Sequence, residues 1–200
     1  MNCELIKVCG MRDAENIREA EAIGINLMGF IFWPKSSRFV SDCPTYLPSK
    51  VKRVGVFVDE NIETVKRLAD KYELDYIQLH GHESPEYVAN MNRPVIKAIS
   101  VNSHKDITTY KAYENIVDYF LFDTKCQSVG GSGLQFDWSV LDAYDGKKPF
   151  LLSGGIGPED AENVKNFSHP QCIGIDLNSR FETAPALKDI NKLKQFLEQL

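Results

Sequence analysis

Eight short apolar runs, rich in Val, Ile and Phe, recur along this chain with polar, helix-competent segments between them. They are Leu5–Cys9, Asn26–Phe32, Val54–Val58, Tyr76–His80, Val95–Ser100, Tyr119–Asp123, Phe150–Ser153 and Cys172–Leu177. Several are apolar at consecutive positions, the pattern of a parallel strand covered on both faces. Parallel neighbours need a crossover connection, and a helix supplies it. A strand and then a helix about every 25 residues over 200 residues gives eight such units. Eight units favour an α/β fold of one kind, a compact (β/α)₈ TIM barrel of parallel strands forming a single domain over 1–200. Periodicity does not itself show closure, so a doubly wound sheet stays open at this point. No G-x-G-x-x-G follows the first run, which weakens a dinucleotide-binding reading.

The intervening segments carry helix signals. Asp13 is an N-cap candidate for a helix to Ile23, with Gly24 placed to stop it. Ile62, Val65, Leu68, Ala69 and Tyr72 form a helical stripe. Ser84-Pro85-Glu86 reads as N-cap and N1 proline of a helix ending near Asn92. Thr108 and Thr109 weaken the segment Ser103–Glu114, which is expected short or irregular. Pro44 and Pro48 leave about one turn around Thr45–Val51. Pro158-Glu159-Asp160 opens a helix through about Asn166, and Leu187, Ile190, Leu193, Phe196, Leu197 and Leu200 form a closing amphipathic helix.

Charge narrows the partners. With 23 basic and 28 acidic residues the net charge is −5, so nothing global attracts nucleic acid or an anionic membrane. An anionic ligand must be held locally. No stretch approaches the roughly 20 apolar residues of a membrane span, and the N-terminus lacks the basic and apolar regions of a signal peptide. Five scattered cysteines without a C-x-x-C pair fit a reducing cytoplasm better than a disulfide framework or zinc site.

In a barrel the C-terminal ends of the strands converge on one mouth. Here those ends carry Cys9-Gly10, Pro34-Lys35-Ser36-Ser37-Arg38, Asp59, Gln78 with His80, Ser100, Asp123, Ser153-Gly154-Gly155, and Asp176 followed by Asn178-Ser179-Arg180. The glycines of Leu152–Gly157 let backbone amides approach an anion, and barrel phosphates commonly lie at the loops after strands seven and eight. Glu159 and Asp160 would compete for the next helix end, so the loop amides are the better cradle. The alternative is a tight turn that needs glycine. Gly130-Gly131-Ser132-Gly133 reads either as a lid or as a plain connection. Asp123 ends an apolar strand, where a carboxyl can have a raised pKa and act as general acid; pairing with Lys125 is the plainer reading. Gln78 and His80 share a strand face, as do Lys7 and Cys9. A buried Lys7 ammonium would lower the Cys9 thiol pKa, although an isolated cysteine is more often a small buried hydrophobe.

Seven stretches carry a resemblance. K-V-C-G-M at 7–11, P-K-S-S-R at 34–38, Q-L-H-G at 78–81, L-F-D-T at 121–124, G-G-S-G-L-Q-F-D-W at 130–138, L-L-S-G-G-I at 151–156 and G-I-D-L-N-S at 174–179 together resemble phosphoribosylanthranilate isomerase. The resemblance implies a (β/α)₈ barrel of tryptophan biosynthesis, cytoplasmic, a monomer or homodimer, with a small-molecule phosphosugar substrate and no metal or cofactor. Its reaction turns N-(5-phosphoribosyl)anthranilate into 1-(o-carboxyphenylamino)-1-deoxyribulose 5-phosphate, an Amadori rearrangement. On that footing Cys9 matches the general base and Asp123 the general acid. Arg38 matches the residue holding the anthranilate carboxylate, and Asp176 one that meets the sugar. Gly154, Gly155 and Ser179 match phosphate-holding positions, and Lys7, Gln78 and His80 join the substrate-binding set. Arg180 departs from the pattern, standing where glycine is usual. The competing readings are another phosphosugar barrel enzyme and a non-catalytic phosphosugar-binding protein.

Overall fold

The computed structural model describes residues 4–124 and 137–200. Eight strands close into a barrel in chain order. They are β1 (Leu5–Cys9), β2 (Leu27–Ile31), β3 (Lys52–Phe57), β4 (Tyr76–Leu79), β5 (Val95–Val101), β6 (Tyr119–Thr124), β7 (Phe150–Leu152) and β8 (Cys172–Leu177). Every barrel pairing is parallel, including the β1–β8 seam, where Lys7 stands opposite Asp176. The doubly wound alternative is thereby excluded.

Helices α1 (Ala14–Ala22), α2 (Ile62–Lys71), α3 (Pro85–Ala89), α4 (His104–Ile107), α5 (Ala161–Asn166) and α6 (Ile190–Leu197) lie between or after the strands. Asp13 caps α1 by accepting from Asn16 N–H, and Gly24 follows it at φ +84°, a value glycine adopts without Cβ strain. Three boundaries differ from the sequence reading. No helix forms at 44–51; Glu21 takes the Tyr46 hydroxyl and the Ser49 and Lys50 amides, so the segment is pinned by a side chain rather than by its own turn. Helix α3 stops at Ala89, with Asn90 at its C-cap. Ser103–Glu114 is short and irregular as expected, dividing into α4 and a 3₁₀ turn over Thr108–Ala112. Leu187 is not in the closing helix: it is 41% exposed in a short hairpin of β9 (Glu182–Ala184) and β10 (Leu187–Lys188). Lys125 and the 130–133 glycine cluster lie outside the described residues. Among the described residues no helix is long and apolar enough to cross a membrane.

The core has two layers. Between strands and helices lies the larger one, where Phe120, Phe122, Tyr144 and Phe150 pack with ring centroids 5.0–6.1 Å apart beneath the β6 and β7 ends. Truncating a ring of this kind costs about 3–5 kcal/mol, so those strand ends are held firmly. Inside the barrel Leu27, Val54, Ile96, Ala98, Leu121 and Leu151 form a small plug. Because a strand alternates its faces, the next inward positions above the plug are Gly29, Ser100, Asp123 and Ser153. The apolar plug is thus the floor of a polar mouth.

Candidate active site

Cys9 ends β1, and the chain then turns through Gly10 at φ +79°, with the Gly29 carbonyl accepting both the Gly10 and Met11 amides. Gly29 also makes room for the thiol: a Cβ there would come within 2.6 Å of Cys9 Sγ. Two residues earlier on β1, fully buried Lys7 donates to Asp176 Oδ1 at 2.8 Å, and Ser153 Oγ donates to Asp176 Oδ2 at 3.3 Å. Burial raises the Cys9 pKa and the Lys7 ammonium pulls it down, while Asp176 works against Lys7; the net direction is upward. The expectation that Lys7 would leave the thiol with a lowered pKa is therefore corrected: its effect has the expected sign, but burial exceeds it. Asp176 also ends above the ordinary carboxylate range, its burial outweighing Lys7. Lys7 itself, pulled down by burial, is lifted above its ordinary value by Asp176 and Cys9.

Across the mouth the groups form a different set. His80 Nε2 lies 3.3 Å from Asp123 Oδ2, and Gln78 Nε2 lies 3.2 Å from His80 Nδ1. With the Gln78 amide donating to Nδ1, the ring hydrogen sits on Nε2 and faces Asp123. Thr124 N–H donates to Asp123 Oδ1 at 2.8 Å. The Gln78 oxygen is buried without a hydrogen-bond partner among the described residues, an acceptor free for a ligand hydroxyl.

Gly154 and Gly155 have φ +91° and +70°, and a Cβ on Gly154 would come within 2.6 Å of Thr124 N and 3.0 Å of Asp123 Oδ1. Glycine therefore brings the loop after β7 against the end of β6. Ser179 opens a 3₁₀ turn directly after β8, so these positions lie at neighbouring strand ends. The competing acids are already engaged: Asp160 accepts from Gly157 N–H at 2.7 Å, and Glu159 pairs with Arg180, joining the two loops.

Arg38 has a partner of its own at the mouth. Its Nε and Nη2 grip Glu182 at 2.6–3.1 Å, so the fork expected to face a substrate carboxylate is already filled. Only the Nη1 side of the guanidinium is left to a ligand. Glu182 also accepts from Lys188 Nζ at 2.6 Å, and these two cations hold its carboxyl below the ordinary range despite burial. Neither Glu182 nor Lys188 was singled out in the sequence. A lysine next to a helix N-cap reads as solvent-facing, and its only warning is that it precedes Asp189 in a stretch with no solvent-facing period.

Over residues 6–199 the chain matches the model of a family described as N-(5'phosphoribosyl)anthranilate (PRA) isomerase. The N-(5'-phosphoribosyl)anthranilate isomerase of Parabacteroides distasonis is 52% identical, covering 98% of this chain and 93% of the relative. The crystal structure of phosphoribosyl anthranilate isomerase from Thermus thermophilus superposes with a TM-score of 0.85 at 31% identity, over 98% of this chain and 97% of that one. A phosphoribosyl anthranilate isomerase solved in complex with reduced 1-(o-carboxyphenylamino)-1-deoxyribulose 5-phosphate gives 0.81 at 30% identity, over 98% and 97% of the two chains.

Proposed function

Because this chain belongs to the N-(5'-phosphoribosyl)anthranilate isomerase family, we propose that it isomerises its substrate with Cys9 as general base and Asp123 as general acid. The observation that carries this reading is the division of the mouth: a thiol beside buried lysine on β1, and a carboxyl on β6 beside the histidine that follows β4. The reaction needs one group to give a proton and another to take one, and the thiol and the carboxyl stand on separate strands at the same end of the barrel.

Asp123 gives its proton to the ribose ring oxygen as the bond from that oxygen to C1′ breaks and the anilino nitrogen forms the Schiff base. His80 steadies the carboxylate left behind. The Cys9 thiolate then takes the proton from C2′, and the resulting enol relaxes to the aminoketose. Lys7 offsets the negative charge on sulfur. Gln78 and Asp176 meet the sugar hydroxyls, Gly154, Gly155 and Ser179 hold the phosphate, and the Nη1 side of Arg38 meets the anthranilate carboxylate. Residues 1–200 act as one barrel domain in the cytoplasm, as a monomer or homodimer.

The test generates the unstable substrate in situ and follows the loss of anthranilate-type fluorescence. Cys9→Ala and Asp123→Asn should each lose about 10²–10⁴-fold in turnover. Near-full rates in variants whose circular dichroism is unchanged would defeat the assignment.

A further inference from the structure

The β9–β10 hairpin delivers a second lysine to the base side of the mouth. Asn16 of α1 brackets the Lys188 backbone, donating to its carbonyl at 2.9 Å and accepting from its amide at 2.7 Å. The side chain is fully buried, and its Nζ donates to Glu182 Oε1 at 2.6 Å and Asn178 Oδ1 at 2.9 Å. It points at the turn that follows Cys9: a Cβ on Gly10 would lie 3.5 Å from Lys188 Nζ and 2.7 Å from Arg38 Cδ.

Stability does not explain a lysine there. Glu182 is already held by both donors on one side of Arg38, and a buried ion pair is seldom more stable than an apolar pair of the same volume. The charges around Cys9 come from four elements. Lys7 is on its own strand, Asp176 on β8, Arg38 in the loop after β2, and Glu182 and Lys188 on the hairpin; Asp123 and His80 face it from across the mouth. Among the described residues, three cations on the base side meet two carboxylates, so one positive charge is left over.

Building on the reading of Cys9 as the base, we propose that Lys188 is a positioning residue whose ammonium, left in surplus once Arg38 neutralises Glu182, favours the Cys9 thiolate against the opposing effect of burial. The surplus charge also suits a substrate that brings a carboxylate to this side. The charge of Lys188 acts on the thiol in the same direction as that of Lys7. Lys7 has the larger effect on the thiol but is paired with Asp176 at 2.8 Å, whereas Lys188 shares its carboxylate with Arg38.

The test titrates Cys9 directly, by the ultraviolet absorbance of its thiolate in each protein minus that of the matching Cys9→Ser protein. Lys188→Met should raise the midpoint by about one pH unit, and Lys188→Arg should keep it near wild type. The double variant Lys188→Met/Glu182→Gln restores the surplus through Arg38 and should bring the midpoint back down. An unmoved midpoint in Lys188→Met overturns the proposal, as does a rise that the double variant leaves in place, which would make the contribution steric. If Lys188→Met does not fold, Glu182→Gln alone gives the mirror test: the surplus grows and the midpoint must fall. Turnover of Cys9→Ser is read separately. Retained turnover there would sink the base assignment, while a failed titration with turnover lost would sink only the part given to Lys188.

Discussion

Two buried lysine–carboxylate pairs of similar length lie on opposite sides of this molecule and do different work. Lys97 on β5 donates to Glu83 Oε2 at 2.9 Å and to the carbonyls of Leu79 and Gly81 at 3.2 and 2.8 Å. Glu83 in turn accepts from the amides of Asp59 and Gly81. Nearly every remaining bond of that pair goes to backbone, so it fastens the loop after β4. Lys7 and Asp176 have the same chemistry inside the barrel, but their other partners are side chains, Cys9 and Ser153. A buried pair tied to backbone fixes a loop; one tied to the side chains of the mouth, on the proposed reading, acts on their protonation. Partners, not burial, separate scaffold from site.

The sharpest way to break this contrast is Lys97→Met. It leaves Glu83 buried against backbone with no cation and should cost about 3–5 kcal/mol in a urea unfolding experiment, with kcat close to wild type well below the melting temperature. A kcat that collapsed along with stability would erase the distinction. Next in size is Lys7→Met, which should lower kcat about 100-fold, near 2.7 kcal/mol of activation free energy, with a smaller stability loss because Asp176, already raised, can take up a proton. The smallest effect sharpens the contrast through pH. Glu182 has a folded pKa below its ordinary value, so its stabilisation is present above about pH 4.3 and disappears as pH falls through the lower folded value. Asp176 is shifted upward, so its ionised form costs stability at higher pH and protonation relieves that cost. Unfolding curves from about pH 3 to 6 should therefore show Glu182→Gln removing an acid-side loss, on the order of 1 kcal/mol, and Asp176→Asn changing the slope with opposite sign.

Lys7 and Lys97 also show why some of this was readable and some was not. Each interrupts an apolar strand, Leu5-Ile6-Lys7-Val8-Cys9 and Val95-Ile96-Lys97-Ala98-Ile99. The local signal is the same, and only distant partners distinguish them: Asp176, 169 positions away, against Glu83, 14 away. The eight strands were legible because apolar runs covered on both faces leave a mark in composition. The caps at Asp13 and Ser84 were legible because capping is chemistry within three residues. The segment 44–51 misled because what orders it is Glu21, from another helix. Arg38 was placed at the mouth, but its engagement by Glu182 depends on a hairpin 144 residues further on. Lys188 has only a faint local mark, since Asn16 and Asn178 hold it from elsewhere in the chain.

Lys7 and Asp176 face each other where the first strand meets the last. Of all the pairings in the barrel this one joins the most distant parts of the chain, and the entropy of closing so long a loop must be met before it forms. Helices and seven strands could assemble around Lys7 while its carboxylate, and the hairpin bearing Glu182 and Lys188, were still undocked. Such a species would have most of its secondary structure and none of its thiol chemistry. On the proposed assignment, catalytic competence requires the eighth strand, which brings Asp176 to Lys7, so reactivity reports whether the barrel has closed.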